Sequence, residues 1–138
     1  MKSYQEFIYI QTKSNIEIVN ITEDVQHICR ESGIKEGLIL VFPFHTSSAV
    51  YISDSDLNLT DDYKKILSRL IPAEDNYAHD LTDYKRNADA HLKSILTGHH
   101  ILIPLSNGEI DLGIYQTIYY AEFDGQRKKE ILVKVIGE

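Results

Sequence analysis

Phe42–Val50 reads FPFHTSSAV and follows directly on the most apolar run of the chain, Gly37–Phe42 (GLILVF). A run of that length and composition is a buried strand. It ends in a proline, an aromatic, a histidine and three consecutive hydroxyl residues, where ordinary turns use Gly, Asn or Asp. The segment therefore carries an imidazole and three hydroxyls to the mouth of the core. His45 is the residue on which a function would be built, with His79 and His91 as its companions.

On the N-terminal side of that strand, Glu6–Thr12 and Asn15–Val19 alternate and are rich in β-formers. Lys13-Ser14 between them reads as a hairpin turn. A first helix is predicted over Thr22–Ser32, capped by Asn20 or Thr22, with Glu23 and Asp24 in its first turn and Gly33 closing it. On it, Cys29 packs and His27 faces solvent. On the C-terminal side, Ala49–Ser53 is a strand and DSDLNLTDD an acidic loop. A second helix is capped by Thr60, carries Tyr63, Ile66, Leu67 and Leu70 on one face, and is stopped by Pro72. Residues 74–86 (EDNYAHDLTDYKR) have no clear period and read as a functional loop or short irregular helix. A third helix, Asn87–Thr97, has the apolar stripe Ala88, His91, Leu92, Ile95 and Leu96, which places His91 on its buried side.

The last third is β: a strand at His100–Pro104, a turn at Ser106-Asn107-Gly108, a long strand over Ile110–Phe123 interrupted by Gly113, and a turn at Asp124-Gly125 leading into Arg127–Ile136. The order ββ-α-ββ-αα-βββ does not alternate strictly. It predicts an α+β fold, with a mixed, mainly antiparallel sheet of about seven strands packed with helices, in one domain spanning residues 1–138.

At 138 residues, 43% of them apolar and 25% charged, the chain is long enough to bury a core. A net charge of −7 argues against nucleic acid or an anionic membrane as partner. Lys85-Arg86 and Arg127-Lys128-Lys129 remain as local anion sites. One cysteine excludes an internal disulfide and a cysteine-based zinc site. The N-terminal stretch MKSYQEFIYI lacks the apolar core of a signal peptide, and no run is long enough to span a membrane. The expectation is a cytoplasmic protein.

Three neutral imidazoles with one open position make a catalytic site for zinc or a similar divalent ion. Here the gaps of 34 and 12 residues between His45, His79 and His91 match no local zinc motif. A core His91 and a surface His79 remain the alternative. Asp80, Asp83, Asp89 and Glu122 are candidate bases or supports for a histidine. Thr46, Ser47 and Ser48 are candidate ligands for phosphate or carboxylate oxygens. No G-x-S-x-G elbow accompanies them, and Gly108–Gly113 (GEIDLG) lacks the Lys-Ser/Thr of a P-loop.

In order and spacing, NITEDV, ESGIKEGLILVF, FHTSSAVYI, Tyr77-Ala78-His79, NADAHLKSILTG, ILIPLSNGEIDLGIYQTIYYAEFDGQR and VKVIGE resemble the YjbQ family, small proteins often labelled secondary thiamine-phosphate synthase. The resemblance implies a compact α+β domain, a homotrimer, pockets near the subunit contacts and a metal held by histidines. His45 corresponds to the histidine of the family's H-T-S/T-A stretch, His79 to that of Y-x-H and His91 to that of A-H-L/I. Gln116, Glu122 and Arg127 match its W-Q, E and D-G-P-R positions. The chain departs from the pattern at Ile52-Ser53-Asp54-Ser55 (family I-N-E-N), at Tyr115 (Trp) and at Gln126 (Pro), which alters the rim of the site.

The resulting expectation is a metal-dependent enzyme acting on a small phosphorylated, anionic ligand. His45, His79 and His91 would hold the ion, and Thr46, Ser47, Ser48, Gln116, Glu122 and Arg127 would bind the ligand. A histidine trio suits a zinc-like ion, whereas coupling that releases pyrophosphate normally calls for Mg²⁺ on carboxylate and water ligands. Mg²⁺ is therefore expected only if a synthase activity is native. The alternative is a non-catalytic trimeric module that binds a metal or small ligand.

Overall fold

The computed structural model describes residues 1–138. Eight strands and three helices follow the order β1 (Lys2–Gln11), β2 (Glu17–Asn20), α1 (Thr22–Ser32), β3 (Gly37–Pro43), β4 (Ser48–Ser53), α2 (Leu57–Leu70), α3 (Ala88–Thr97), β5 (Ile101–Ser106), β6 (Glu109–Ile110), β7 (Thr117–Glu122) and β8 (Lys128–Gly137). A single 3₁₀ turn at Ala78–Leu81 lies between α2 and α3. The fold is α+β with antiparallel strand pairing. Its strands form two sheets, one of five strands in the order β1-β8-β3-β5-β6 and one of three in the order β2-β7-β4.

The main core lies where the two sheets and α1 meet. Alternation decides who contributes: Ile39 and Val41 of β3, Ile103 and Leu105 of β5, and Ile131, Val133 and Val135 of β8 face inward with a period of two. From the smaller sheet come Val50, Ile118 and Tyr120, and from α1 Val25, Ile28 and Cys29. A second cluster, Ala49, Leu67, Ala90, Ala121 and Phe123, fills the other face of the smaller sheet beneath α2 and α3. Strand β7 is thus covered on both faces, which is why TIYYAE carries apolar residues at nearly every position.

Helix α1 has the expected bounds. Gly33 ends it at φ 70, the left-handed conformation that glycine adopts without a Cβ clash. Other expectations need correction. β1 and β2 are not a hairpin: β1 pairs with β8 from Lys2↔Gly137 to Gln11↔Lys128, while β2 pairs with β7. The buried Thr12 explains the difference. Its hydroxyl donates to the Ser14 carbonyl (2.9 Å) and accepts the Gln126 N–H (3.0 Å), pinning residues 12–14 beneath the 124–126 turn. A Cβ at Gly125 would overlap that hydroxyl and the Ser14 carbonyl, so only glycine fits there.

The expected long strand over 110–123 is two strands on different sheets. A turn breaks it, closed by Gly113 N–H on Gln116 Oε1 (2.7 Å) and Gln116 N–H on the Gly113 carbonyl (3.0 Å). Helix α2 begins a turn before Thr60, because Asp56 accepts the Asn58 N–H (2.9 Å).

Helix α3 keeps only part of the predicted face: Ala88 is buried, but Leu92 is exposed. Ile95 (76% exposed) and Leu96 (59%) point outward, while Ala90, Lys93 and Ser94 are buried. Small residues let the helix approach β4 closely, and the Ser94 hydroxyl donates to the Ser48 carbonyl at 2.6 Å. Lys93 is buried against Asp89 (2.9 Å). His91 is therefore half-buried at the edge of the packed face rather than inside it.

Candidate functional site

The chain leaves β3 at Pro43, runs through Phe44–Ser47 and enters β4 at Ser48, so this segment crosses from one sheet to the other. It forms one wall of a cavity of 1300 Å³. His45, Thr46 and Ser47 line that cavity with His91 and Ile95 of α3, Asp83, Tyr84 and Lys85 of the preceding loop, and Arg127 and Lys129 at the start of β8. Three cationic side chains against one acid is a marked local reversal in a chain of net charge −7.

The inner end of this region is built from charged groups at core positions. Lys129 is in phase with Ile131, Val133 and Val135 on β8, and Glu122 with Ile118 and Tyr120 on β7. The two form an ion pair at 2.8 Å, with Lys129 3% exposed and Glu122 fully buried. Each carboxylate oxygen is occupied: Oε1 accepts the Tyr120 hydroxyl (2.7 Å), and Oε2 accepts Lys129 and the Asp124 N–H (3.1 Å). Lys129 also donates to Ser47 Oγ at 3.3 Å. Burial raises the Tyr120 phenol well above its usual range, so it is a donor to Glu122 and not a base.

His45 sits beside this pair. The Glu130 N–H donates to its Nε2 at 2.9 Å. An amide N–H can only donate, so Nε2 supplies the lone pair and Nδ1 carries the proton of the neutral ring. Burial lowers the His45 pKa, and the nearby Lys129 ammonium lowers it further, against an opposing pull from Glu122 and Glu130. The ring is held neutral, with its one lone pair in use.

The other two histidines lie on the outer side. Their ring centroids are 5.0 Å apart and nearly perpendicular. His91 Nδ1 donates to the Thr46 carbonyl (3.0 Å), which leaves its Nε2 lone pair free. His79 Nε2 is 3.2 Å from both Asp83 Oδ2 and Asn87 Oδ1, two oxygen acceptors, which leaves its Nδ1 lone pair free. Such anchoring of one ring nitrogen by an oxygen is how proteins orient histidines for ligation. A hydrogen-bonded chain runs on from there: Asn87 Nδ2 donates to Asp124 Oδ2 (2.9 Å), which also accepts Arg127 Nη2 (2.8 Å). His79 lines a separate cavity of 480 Å³ with Tyr77, Ala78 and Leu92, and His91 and Thr46 form the wall between the two cavities.

Within one chain, two of the three expected histidines meet. His79 and His91 come together with free lone pairs. His45 is across the Thr46–His91 wall with its lone pair taken, and within one chain no three histidine, cysteine or acidic side chains are arranged to hold an ion. Of the expected ligand contacts, Thr46, Ser47 and Arg127 line the cavity. Ser48 is fully buried with no partner for its hydroxyl, Glu122 is sealed behind Lys129, and Gln116 lies outside the cavity lining, its side-chain oxygen closing the Gly113 turn. Asn87 is a cavity residue that the sequence reading missed, and Lys129, named there only as part of a basic run, stands at a buried core position. For Lys129 the signal was present, a lysine in register with the buried positions of an alternating strand.

A family model described as "UPF0047 protein YjbQ-like" matches residues 6–138. A UPF0047 protein of Methanothermobacter thermautotrophicus is 35% identical over 138 residues, covering 100% of this chain and 95% of that protein. A crystal structure described as a "YbjQ-like protein of unknown function" from Sulfolobus solfataricus superposes with a TM-score of 0.95 at 32% identity, covering 99% of each chain. A yjbq/upf0047 family structure from Clostridium acetobutylicum gives a TM-score of 0.88 at 31% identity, covering 95% of this chain and 99% of that one. By sequence and by fold, the chain belongs to the YjbQ (UPF0047) family.

Proposed function

We propose that the protein is a metal-dependent enzyme acting on a small phosphorylated ligand, which it holds in the cavity between Phe44–Ser47, α3 and the start of β8. The observation that carries this reading is the cavity lining: Lys85, Arg127 and Lys129 beside the hydroxyls of Thr46 and Ser47, in an otherwise acidic protein. Arg127 suits a terminal phosphate, since Asp124 orients one of its nitrogens and leaves the rest of the fork available. Tyr84, Phe44 and Ile95 supply apolar surface for the rest of the ligand.

A zinc-like ion would be held by His79 and His91, completed by water or ligand oxygens, and would supply a Lewis acid at the boundary of the two cavities. Both residues fit that role by their free lone pairs, and His45 does not. Homotrimer formation, with the cavity near a subunit contact, is part of the same proposal.

The test uses untagged protein, because a histidine tag would add its own metal. Elemental analysis and solution mass come first. Turnover of a panel of phosphate esters and thiamine-phosphate precursors follows, with the protein as purified, stripped of metal and reloaded. Metal-dependent turnover of at least one phosphorylated compound is expected. Equal turnover after stripping rules out the metal dependence, and no turnover with loaded protein rules out the enzymatic reading.

One observation favours a second reading, a non-catalytic binding module. Glu122, a candidate base in the sequence, has both oxygens engaged and no access to the cavity. Saturable binding of phosphorylated compounds without turnover would select it.

A further inference from the structure

We infer that His45, Ser47 and Lys129 form a three-donor pocket for one oxyanion group of the ligand, and that His45 serves as an anion donor rather than a metal ligand. The inference rests on the anion-cavity reading above and deepens it by naming the groups that grip the charge.

The argument is a count of donors and acceptors at the inner end of the cavity. An ammonium has three N–H donors. Two of those on Lys129 go to Glu122 Oε2 and Ser47 Oγ, and the remaining one has no protein acceptor. Ser47 Oγ accepts from Lys129, so its own proton points elsewhere, and Ser47 lines the cavity. His45 Nε2 accepts from Glu130, so the proton is on Nδ1, which no protein acceptor takes. Each acceptor atom in the cluster already takes at least one internal bond: both Glu122 oxygens, Ser47 Oγ and His45 Nε2. The donors are left over.

The three are also close and fixed. His45 is bonded to the backbone of the residue next to Lys129, and the Phe44 N–H donates to the carbonyl of that same Glu130 (3.2 Å). Ser47 and Lys129 are 4% and 3% exposed, so neither moves freely. A rigid, desolvated cluster with surplus donors and one buried cation favours an oxyanion over water, because each bond is charge-assisted and needs little reorganisation.

The test is calorimetric titration of untagged wild-type protein and variants with inorganic phosphate and pyrophosphate, beside metal analysis of each. His45→Gln retains an acceptor for the Glu130 N–H and removes the donor at the Nδ1 position. It is expected to lower affinity roughly tenfold to a hundredfold, as for loss of one bond to a charged group, with the metal content per chain unchanged. Lys129→Met alone strands the buried Glu122, so it is combined with Glu122→Gln. That double variant is expected to lose roughly a hundredfold or more, with a native circular dichroism spectrum. A fall in metal content in His45→Gln, or wild-type affinity in both variants, overturns the inference while leaving the anion cavity in place. If wild-type protein binds neither anion, the anion-cavity reading fails and this inference with it.

Discussion

The inner and outer ends of the site use the same side-chain chemistry, imidazoles beside carboxylates, in opposite surroundings. Inside, Glu122 is fully buried, Lys129 nearly so, and His45 has its lone pair fixed by a backbone amide. Outside, the His79–Asp83 pair is 44% and 31% exposed, and both His79 and His91 keep a free lone pair. Depth decides which residues hold the fold together and which remain available to an exchangeable ligand. A buried charge must be matched on every side before the chain can fold around it. An exposed one is solvated by water and can give up its neighbours.

The sharpest way to break this contrast is Lys129→Met. It leaves the buried Glu122 carboxyl with its Tyr120 and Asp124 donors but no counter-charge. Removing one partner of a buried pair costs about 3–5 kcal/mol, which for a domain of this size lowers Tm by roughly 10–20 °C. Adding Glu122→Gln is expected to recover most of that loss, since neutralising both partners removes the stranded charge. A single variant with wild-type Tm would mean that the pair does not determine the inner end.

His91→Ala comes next. It deletes one hydrogen bond, to the Thr46 carbonyl, from a half-buried position. The stability cost is about 0.5–1.5 kcal/mol, well below that of Lys129→Met, but ion uptake is expected to disappear. Full metal content in this variant would remove the outer end as an ion site.

Much of this division was legible in the sequence, though unevenly. Helix α1 was, because Gly33 and the acidic first turn punctuate it at both ends. So was the Phe42–Ser47 crossing, whose proline, histidine and hydroxyls no ordinary turn would use. The pairing of β1 with β8 was not, because it joins opposite ends of the chain and only the 12–14 pin under Gly125 makes it visible. The outward stripe of α3 misled for a physical reason. A helix that docks through Ala90 and Ser94 against β4 presents its larger apolar residues to solvent, inverting the usual amphipathic rule. The engagement of His45 was not legible, because residue type says an imidazole has a lone pair, but only the fold says whether a neighbour already uses it. Glu122 and Lys129 could have been paired from phase alone, each occupying the buried register of its own strand.

A smaller effect concerns pH. Burial and Lys129 lower the His45 pKa below its ordinary value near 6.5. The unfolded chain therefore takes up a proton at that residue before the native protein does, and stability falls as pH drops below about 6.5, levelling off below the native pKa. The groups facing His45 are Lys129 and Arg127, which oppose its protonation, and Glu122 and Glu130, which favour it. Denaturant melts between pH 5 and 7 should show this dependence shallower in His45→Gln by the share of one proton. An identical slope in the two proteins would place the titration elsewhere.

The smallest effect on stability, and the cleanest separation of the two ends, is Asp83→Asn. This carboxylate lies 3.2 Å from His79 Nε2 on the exposed side, and its Oδ1 accepts only the Lys85 N–H (2.9 Å) within its own loop. Exposed pairs of this kind contribute about 0–1 kcal/mol, and asparagine keeps an oxygen that can accept from His79. The fold should barely register the change, with Tm shifted by less than about 3 °C. Ion affinity should respond more, because the carboxylate orients the ring, and loss of such support typically costs tenfold to a hundredfold. Competition against a chelator of known affinity measures it. Unchanged affinity with unchanged Tm would show that Asp83 does not orient His79 for ligation, and Asn87 would then be the one group holding that ring.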